Sequence, residues 1–178
     1  TTPLQTLLAK EIVKNYEDEE FYGILFSNHF SKKVDRYFNL FGVLCHILNK
    51  IYCESSIKLV CLILYYKIRF FNKKFDKIFV ANIENILIQS IISSLKFNEL
   101  ITFDDGTANI LKNSMLYQNN ESWKLKFIKF IFMIDHDINT LKDISSLHYT
   151  IYDMDNIIKN TKRISMFKFN NSVGNALN

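Results

Sequence analysis

Two adjacent carboxylates, Asp104 and Asp105, stand directly after the apolar run Leu100–Phe103 and before Gly106 and Thr107. A carboxylate at the end of a buried strand can take a proton from a hydroxyl, and burial would raise its pKa towards a useful range. Gly106 allows a positive-φ turn that brings backbone N–H groups towards a ligand. Adjacent side chains leave an extended backbone in opposite directions, so at most one of the two carboxylates enters a given cleft. The same residues also suit a plain Asp-Gly turn or a helix cap.

Other groups of reactive residues are weaker. A phosphatase nucleophile of the Asp-x-Asp-Gly-Thr type would stand at position 103, which is Phe103. Asp135, His136 and Asp137 could ligate a metal, but neighbours in sequence rarely converge on one ion, and a solvated helix end accounts for them. His29 and His46 read as structural histidines. Cys45, Cys53 and Cys61 are eight apart with no C-x-x-C pair, which fits reduced, core-filling thiols and a reducing cytoplasm. The carboxylate run Glu17–Glu20 reads as a solvated turn. Trp123, Phe127, Phe130 and Ile131 interleaved with Lys124, Lys126 and Lys129 resemble an interfacial membrane helix, although a core helix with snorkelling lysines has the same pattern and is the reading preferred.

The elements that must position these residues are legible in part. Thr2 followed by Pro3 is a helix start, and Leu4, Leu7, Leu8, Ile12 and Val13 follow at helical spacing. Phe21–Phe26, Lys77–Ala81, Leu100–Phe103 and His148–Tyr152 read as strands. Helices are expected from Ser31 to about Leu40, from Ser55 or Ser56 to about Phe71, from Asn82 or Asn85 to about Leu95, and over Trp123–Ile134. The stretch Phe41–Tyr52 fits either state. Strands alternating with helices predict an α/β fold, a Rossmann-like parallel sheet with helices on both faces.

Composition narrows the field. The chain has 178 residues, 48% hydrophobic and 15% aromatic, which excludes disorder. Four glycines and one proline cannot supply the turns of a β-sandwich, and no glycine-rich phosphate loop exists. The net charge of +4 is scattered, which argues against a nucleic-acid partner. No apolar stretch approaches the ~20 residues of a membrane span, and no signal peptide is visible.

Three segments carry a family resemblance. The run Leu100-Ile101-Thr102-Phe103-Asp104-Asp105-Gly106-Thr107-Ala108-Asn109-Ile110 resembles the Asp-Asp-Gly segment of bacterial glycosyltransferase family fifty-two, the lipooligosaccharide sialyltransferases and their relatives. Thr2-Pro3-Leu4-Gln5 is similar to that family's opening loop after its first strand. His148-Tyr149-Thr150-Ile151-Tyr152 resembles a segment shortly before its second domain. The resemblance implies one half of a two-domain GT-B enzyme of lipooligosaccharide synthesis, which moves sialic acid from CMP-sialic acid to a terminal galactose with inversion and without metal or other cofactor. It implies an acceptor-side domain over 1–165 lacking its first strand, a linker or frayed tail over 166–178, and no nucleotide-binding half, because the only proline is Pro3 and the family's His-Pro motif is absent. Asp105 is then the first choice for the base and Asp104 the second, with Gly106, Thr107, Thr2 and Gln5 on the substrate side. The expected partners are the CMP-sialic acid donor, a galactose-terminated lipooligosaccharide, a second copy of the chain and the inner face of the bacterial inner membrane, to which a cytoplasmic enzyme would attach peripherally. The 178 residues alone are expected to be inactive. A hexosyltransferase using another nucleotide sugar and a truncated, non-catalytic binding module are the alternatives.

Overall fold

The computed structural model describes the chain except residues 1, 105, 108, 109, 112, 115–120, 154, 155 and 165–178, so the tail expected over 166–178 lies outside the described residues. Helix α1 spans Pro3–Val13, and Thr2 and Gln5 close a reciprocal capping box around Pro3. Strand β1 (Tyr22–Ser27) leads to α2 (Lys32–Gly42), capped by Ser31, and then to β2 (Ile47–Tyr52). The ambiguous stretch 41–52 therefore contains a helix end, a turn and a strand.

Ser55 caps α3 (Ser56–Phe70), which precedes β3 (Lys74–Val80). Asn85 caps α4 (Ile86–Ile92), with its side chain accepting from Leu87 N and Ile88 N. Strand β4 (Lys96–Phe103) follows, then α5 (Trp123–Ile131), α6 (Ile138–Ile144), β5 (Ser145–Thr150) and a short β6 (Thr161–Arg163). The short α6 and β6 carry too few apolar repeats to stand out in the sequence.

Every strand pair is parallel, as the alternation of strands and helices requires. The strands form two sheets rather than the single one expected. One is β1-β2, and the other is β3-β4-β5-β6. Between β1 and β3 the described residues make no ladder. Side chains meet there instead: Phe21 lies 5.9 Å from Phe79 and Tyr22 6.1 Å from Phe75, ring centre to ring centre, and Lys77 pairs with Glu19.

Helices cover both faces of this strand layer. Along β1, Leu25 joins α1 and α2 through Val13, Phe38 and Phe41, whereas Phe26 joins α3 and α4 through Ile63, Tyr66 and Leu87. Along β4, Ile101 and Phe103 pack on Leu8 and Ile12 of α1, whereas Leu100 packs towards Ile138 and Leu141 of α6. Such alternation explains why these strands read as unbroken apolar runs. Helix α1 thus contacts both sheets.

The cysteines are all free. Cys53 is buried, and burial pushes the half-buried Cys45 thiol up to about 11. Cys61 is exposed, so the core-filling expectation fails for it, because it falls on the outer side of α3. The run 17–20 is a turn as expected. Among the described residues no helix is long and apolar enough to cross a membrane.

Candidate functional site

The register of β4 against β5 pairs Thr102 with His148 and Phe103 with Tyr149. Residues two apart share a face, so Thr102 and Asp104 point the same way, and His148 joins them across the ladder. A bulge falls between Leu100 and Ile101, where Leu100 pairs with Ser145 and Ile101 with Leu147. The extra residue on β5 changes the parity and puts Ser145 on the same face as His148, although they are three apart.

A continuous buried chain of polar side chains results. Ser145 Oγ lies 2.8 Å from Thr102 Oγ1, which lies 2.8 Å from His148 Nδ1. His148 Nε2 lies 3.1 Å from Asp104 Oδ1, and the other carboxylate oxygen accepts from Ile151 N at 2.7 Å. The His148 tautomer with its proton on Nε2 fits this chain, donating to the carboxylate while Nδ1 accepts from Thr102. The single Ser145 hydroxyl proton is shared between Thr102 and Leu147 O at 3.2 Å. Asp104 and His148 are both 0% exposed. The Asp104 backbone N–H also donates to Tyr149 O at 3.1 Å. Tyr152 stands close by, its hydroxyl pKa raised by burial and by the Asp104 charge.

This chain of bonds anchors the first residue of the Asp104–Thr107 loop. Gly106 adopts φ +72°, the left-handed turn its lack of a Cβ permits. Thr107 is exposed, and its carbonyl accepts from Ile110 N and Leu111 N at 3.1 Å each. Asp105 lies outside the described residues. Thr2 and Gln5 serve the α1 cap: the Thr2 hydroxyl accepts from Gln5 N at 3.3 Å, and Gln5 is buried.

A cavity of about 340 Å³ opens further along the same edge, where β1 and β2 end and α3 and α4 begin. Asn28, His29, Glu54, Ser55 and Asn85 supply its polar lining. Ligands of parallel α/β sheets bind beyond the carboxyl ends of the strands, and both features lie on that edge. His29 is exposed there, and His46 is exposed too, its ring 5.8 Å from that of the exposed Tyr22, so neither is the buried structural histidine expected.

The segment 135–137 is a helix entry, as its bland reading had it. His136 Nδ1 meets Asp135 at 2.8 Å, and Asp137 caps α6. Among the described residues no cluster of three or more His, Cys, Asp and Glu could hold a metal ion. Sequence reasoning missed Thr102, Ser145, Tyr152 and the cavity residues. The one available signal was Thr102 and Asp104 alternating with Ile101 and Phe103.

Comparison with known proteins adds identity to this geometry. The family described as Glycosyltransferase family 52 matches residues 18–174. The chain is 37% identical over 174 residues to the "CMP-N-acetylneuraminate:beta-galactoside alpha-2,3-sialyltransferase" of Pasteurella multocida, covering 96% of this chain and 56% of that protein. It is 32% identical over 170 residues to the "N-acetyllactosaminide alpha-2,3-sialyltransferase" of Haemophilus influenzae, covering 93% and 56%. A protein of the same description from Neisseria meningitidis is 28% identical over 180 residues, covering 91% and 46%. The chain thus spans about half the length of the curated relatives it matches.

Proposed function

The chain belongs to glycosyltransferase family 52, and from that premise we propose that it is the acceptor-side half of an α-2,3-sialyltransferase of lipooligosaccharide synthesis, built on the GT-B plan. The observation that carries this reading is the 37% identity over 174 residues to the Pasteurella multocida protein, whose name states the donor and the galactoside acceptor. The parallel strands, and a cavity and an acidic loop at their carboxyl edge, support it.

In this reading Asp105 takes the proton from the galactose hydroxyl while that oxygen bonds to the anomeric carbon of sialic acid. The bond from that carbon to the CMP phosphate breaks, and CMP leaves with the electron pair. Attack comes from the face opposite the leaving group, so the anomeric centre inverts, through an oxocarbenium-like state. Asp104, the second choice from sequence, has both oxygens engaged inside the protein, one by His148 and one by Ile151 N. It therefore acts as a positioning residue that holds the loop. Gly106 and Thr107 shape the acceptor side of that loop, and Thr2 and Gln5 fix the start of α1 beside it. The cavity around His29 and Glu54 takes a further sugar of the acceptor.

The GT-B plan also accounts for the break in the sheet. A strand leading into α1 would lie between the unpaired edges of β1 and β3 and join the two sheets into one, and α1 already packs against both. The donor-binding half belongs to the rest of the protein.

The test is a donor screen on the full-length protein with a β-galactoside acceptor. CMP release from CMP-sialic acid with sialylated product is the expected result. Turnover of a uridine or guanosine nucleotide sugar without CMP release would overturn the reading.

A further inference from the structure

The segment His148–Tyr152 is only partly accounted for by the Asp104 network. His148 and Thr150 are buried, and Tyr149, packed on Leu8 and Ile12 of α1, shares a hydrogen bond with Tyr16, hydroxyl to hydroxyl at 3.2 Å. Tyr152 is the residue left over. It is half-buried, and its hydroxyl has no hydrogen-bond partner among the described residues. Other tyrosines are engaged: Tyr52 donates to Asp35 Oδ1 at 3.1 Å, and Tyr65 accepts from Arg69 at 3.1 Å.

The place of Tyr152 is fixed from two sides. The amide just before it, Ile151 N, donates to Asp104 Oδ2 at 2.7 Å, so a carboxylate at the end of β4 holds the chain that leaves β5. Tyr152 N donates to Thr150 Oγ1 at 3.1 Å, a local turn of the kind threonine hydroxyls make. Strands β4 and β5 are parallel neighbours, so the chain after each leaves the sheet side by side, about 4.8 Å apart. Tyr152 therefore stands on the edge where parallel α/β sheets take their ligands. Behind Asp104, His148 at 3.1 Å and then Thr102 and Ser145 hold the carboxylate still, and the phenol is mounted on a buried polar base.

Burial, and after it the Asp104 charge, push the Tyr152 hydroxyl above its ordinary pKa of 10.0. It keeps its proton at neutral pH and offers a donor. The same negative charge repels a phosphate or a carboxylate and leaves a neutral hydroxyl oxygen as the favoured acceptor of that bond. A ring with a polar tip presents both an apolar face and a hydrogen bond, which matches the C–H face and the hydroxyls of a sugar. We propose that Tyr152 is a substrate-binding residue of this site, its hydroxyl donating to a neutral oxygen of the acceptor sugar at the carboxyl ends of β4 and β5. The inference rests on the sialyltransferase reading for the identity of the reaction, and on the geometry for the place of the residue.

The experiment is steady-state kinetics of the full-length protein with lactose as the β-galactoside, comparing the wild type with Tyr152→Phe. The Tm of each is read by circular dichroism. The variant keeps the ring and loses only an oxygen that the folded chain does not use, so Tm should hold within ~2 °C. KM for lactose should rise ~3–10-fold, the worth of one neutral hydrogen bond, with kcat within ~2-fold. An unchanged KM, a loss confined to kcat, or a larger fall in Tm would overturn the proposal. Turnover of another nucleotide sugar by the wild type, with the same rise in KM for the acceptor in Tyr152→Phe, would sink the sialyl reading and leave Tyr152 in place. CMP release at an unchanged KM for lactose would do the reverse.

Discussion

Replacing Asp104 by Ala removes the acceptor from two groups at once. His148 Nε2 loses its partner at 3.1 Å and Ile151 N its partner at 2.7 Å, at a site where Asp104 and His148 are 0% exposed. A buried donor left unsatisfied costs about 1–3 kcal/mol, so the two together cost about 2–6 kcal/mol. That is a large share of the ~5–15 kcal/mol that holds an ordinary domain together. Asp104→Asn should be milder, at about 1–2 kcal/mol, because the amide oxygen can still accept from Ile151 N while its NH₂ opposes the Nε2 proton. Urea unfolding followed by circular dichroism reads both. With a slope of about 2 kcal/mol/M, the midpoint of the Ala variant should fall by ~1–3 M and that of the Asn variant by less than ~1 M. The His148→Phe, Asp104→Ala double variant should lose clearly less than the sum of the two single losses, by ~1–3 kcal/mol of coupling. An Ala variant within ~0.5 kcal/mol of the wild type, as at an ordinary surface position, would refute the reasoning. So would equal losses for Asn and Ala.

Two further outcomes follow from the geometry around this pair. Gly106 has φ +72° and open space where a Cβ would stand, so Gly106→Ala should cost ~1–2 kcal/mol through the backbone alone, read as a lower urea midpoint. Asp137 caps α6 through Thr140 N at 2.8 Å, and Asp137→Ala should cost about 1 kcal/mol near neutral pH. Burial raises the Asp137 pKa, but the Thr140 hydrogen bonds and the Lys129 charge outweigh it and leave the pKa below 3.8. The ionised cap therefore contributes fully above the unfolded value of 3.8 and is lost as pH falls through the lower folded value. The difference in Tm between wild type and Asp137→Ala should hold steady above pH ~5 and shrink below ~4.

Local chemistry was legible before the fold was known. Thr2 with Pro3, Ser31, Ser55 and Asn85 start their helices where cap chemistry puts them, because a cap is satisfied within three or four residues. The Gly106 turn was equally local. The Asp104–His148 pair was not, since it depends on a parallel register between segments 44 residues apart and on a bulge that restores parity for Ser145. Nothing within either segment encodes that pairing. The orientation of α5 was hidden for another reason: with apolar residues on both faces, periodicity alone cannot say which face is inside. Lys129, which reads as wet, is buried, while Trp123 and Phe130 are exposed. The split into two sheets was hidden as well, because a strand's own apolar pattern does not say which neighbour it pairs with.

The central claim is that a carboxylate in the loop after β4 serves sialyl transfer. The most direct measurement is CMP release from CMP-sialic acid by the full-length protein, with a β-galactoside acceptor, for the wild type and Asp105→Asn at equal stability. If Asp105 takes the proton, kcat should fall at least ~10²-fold with KM for the acceptor changed little. Near wild-type release by Asp105→Asn would contradict the account.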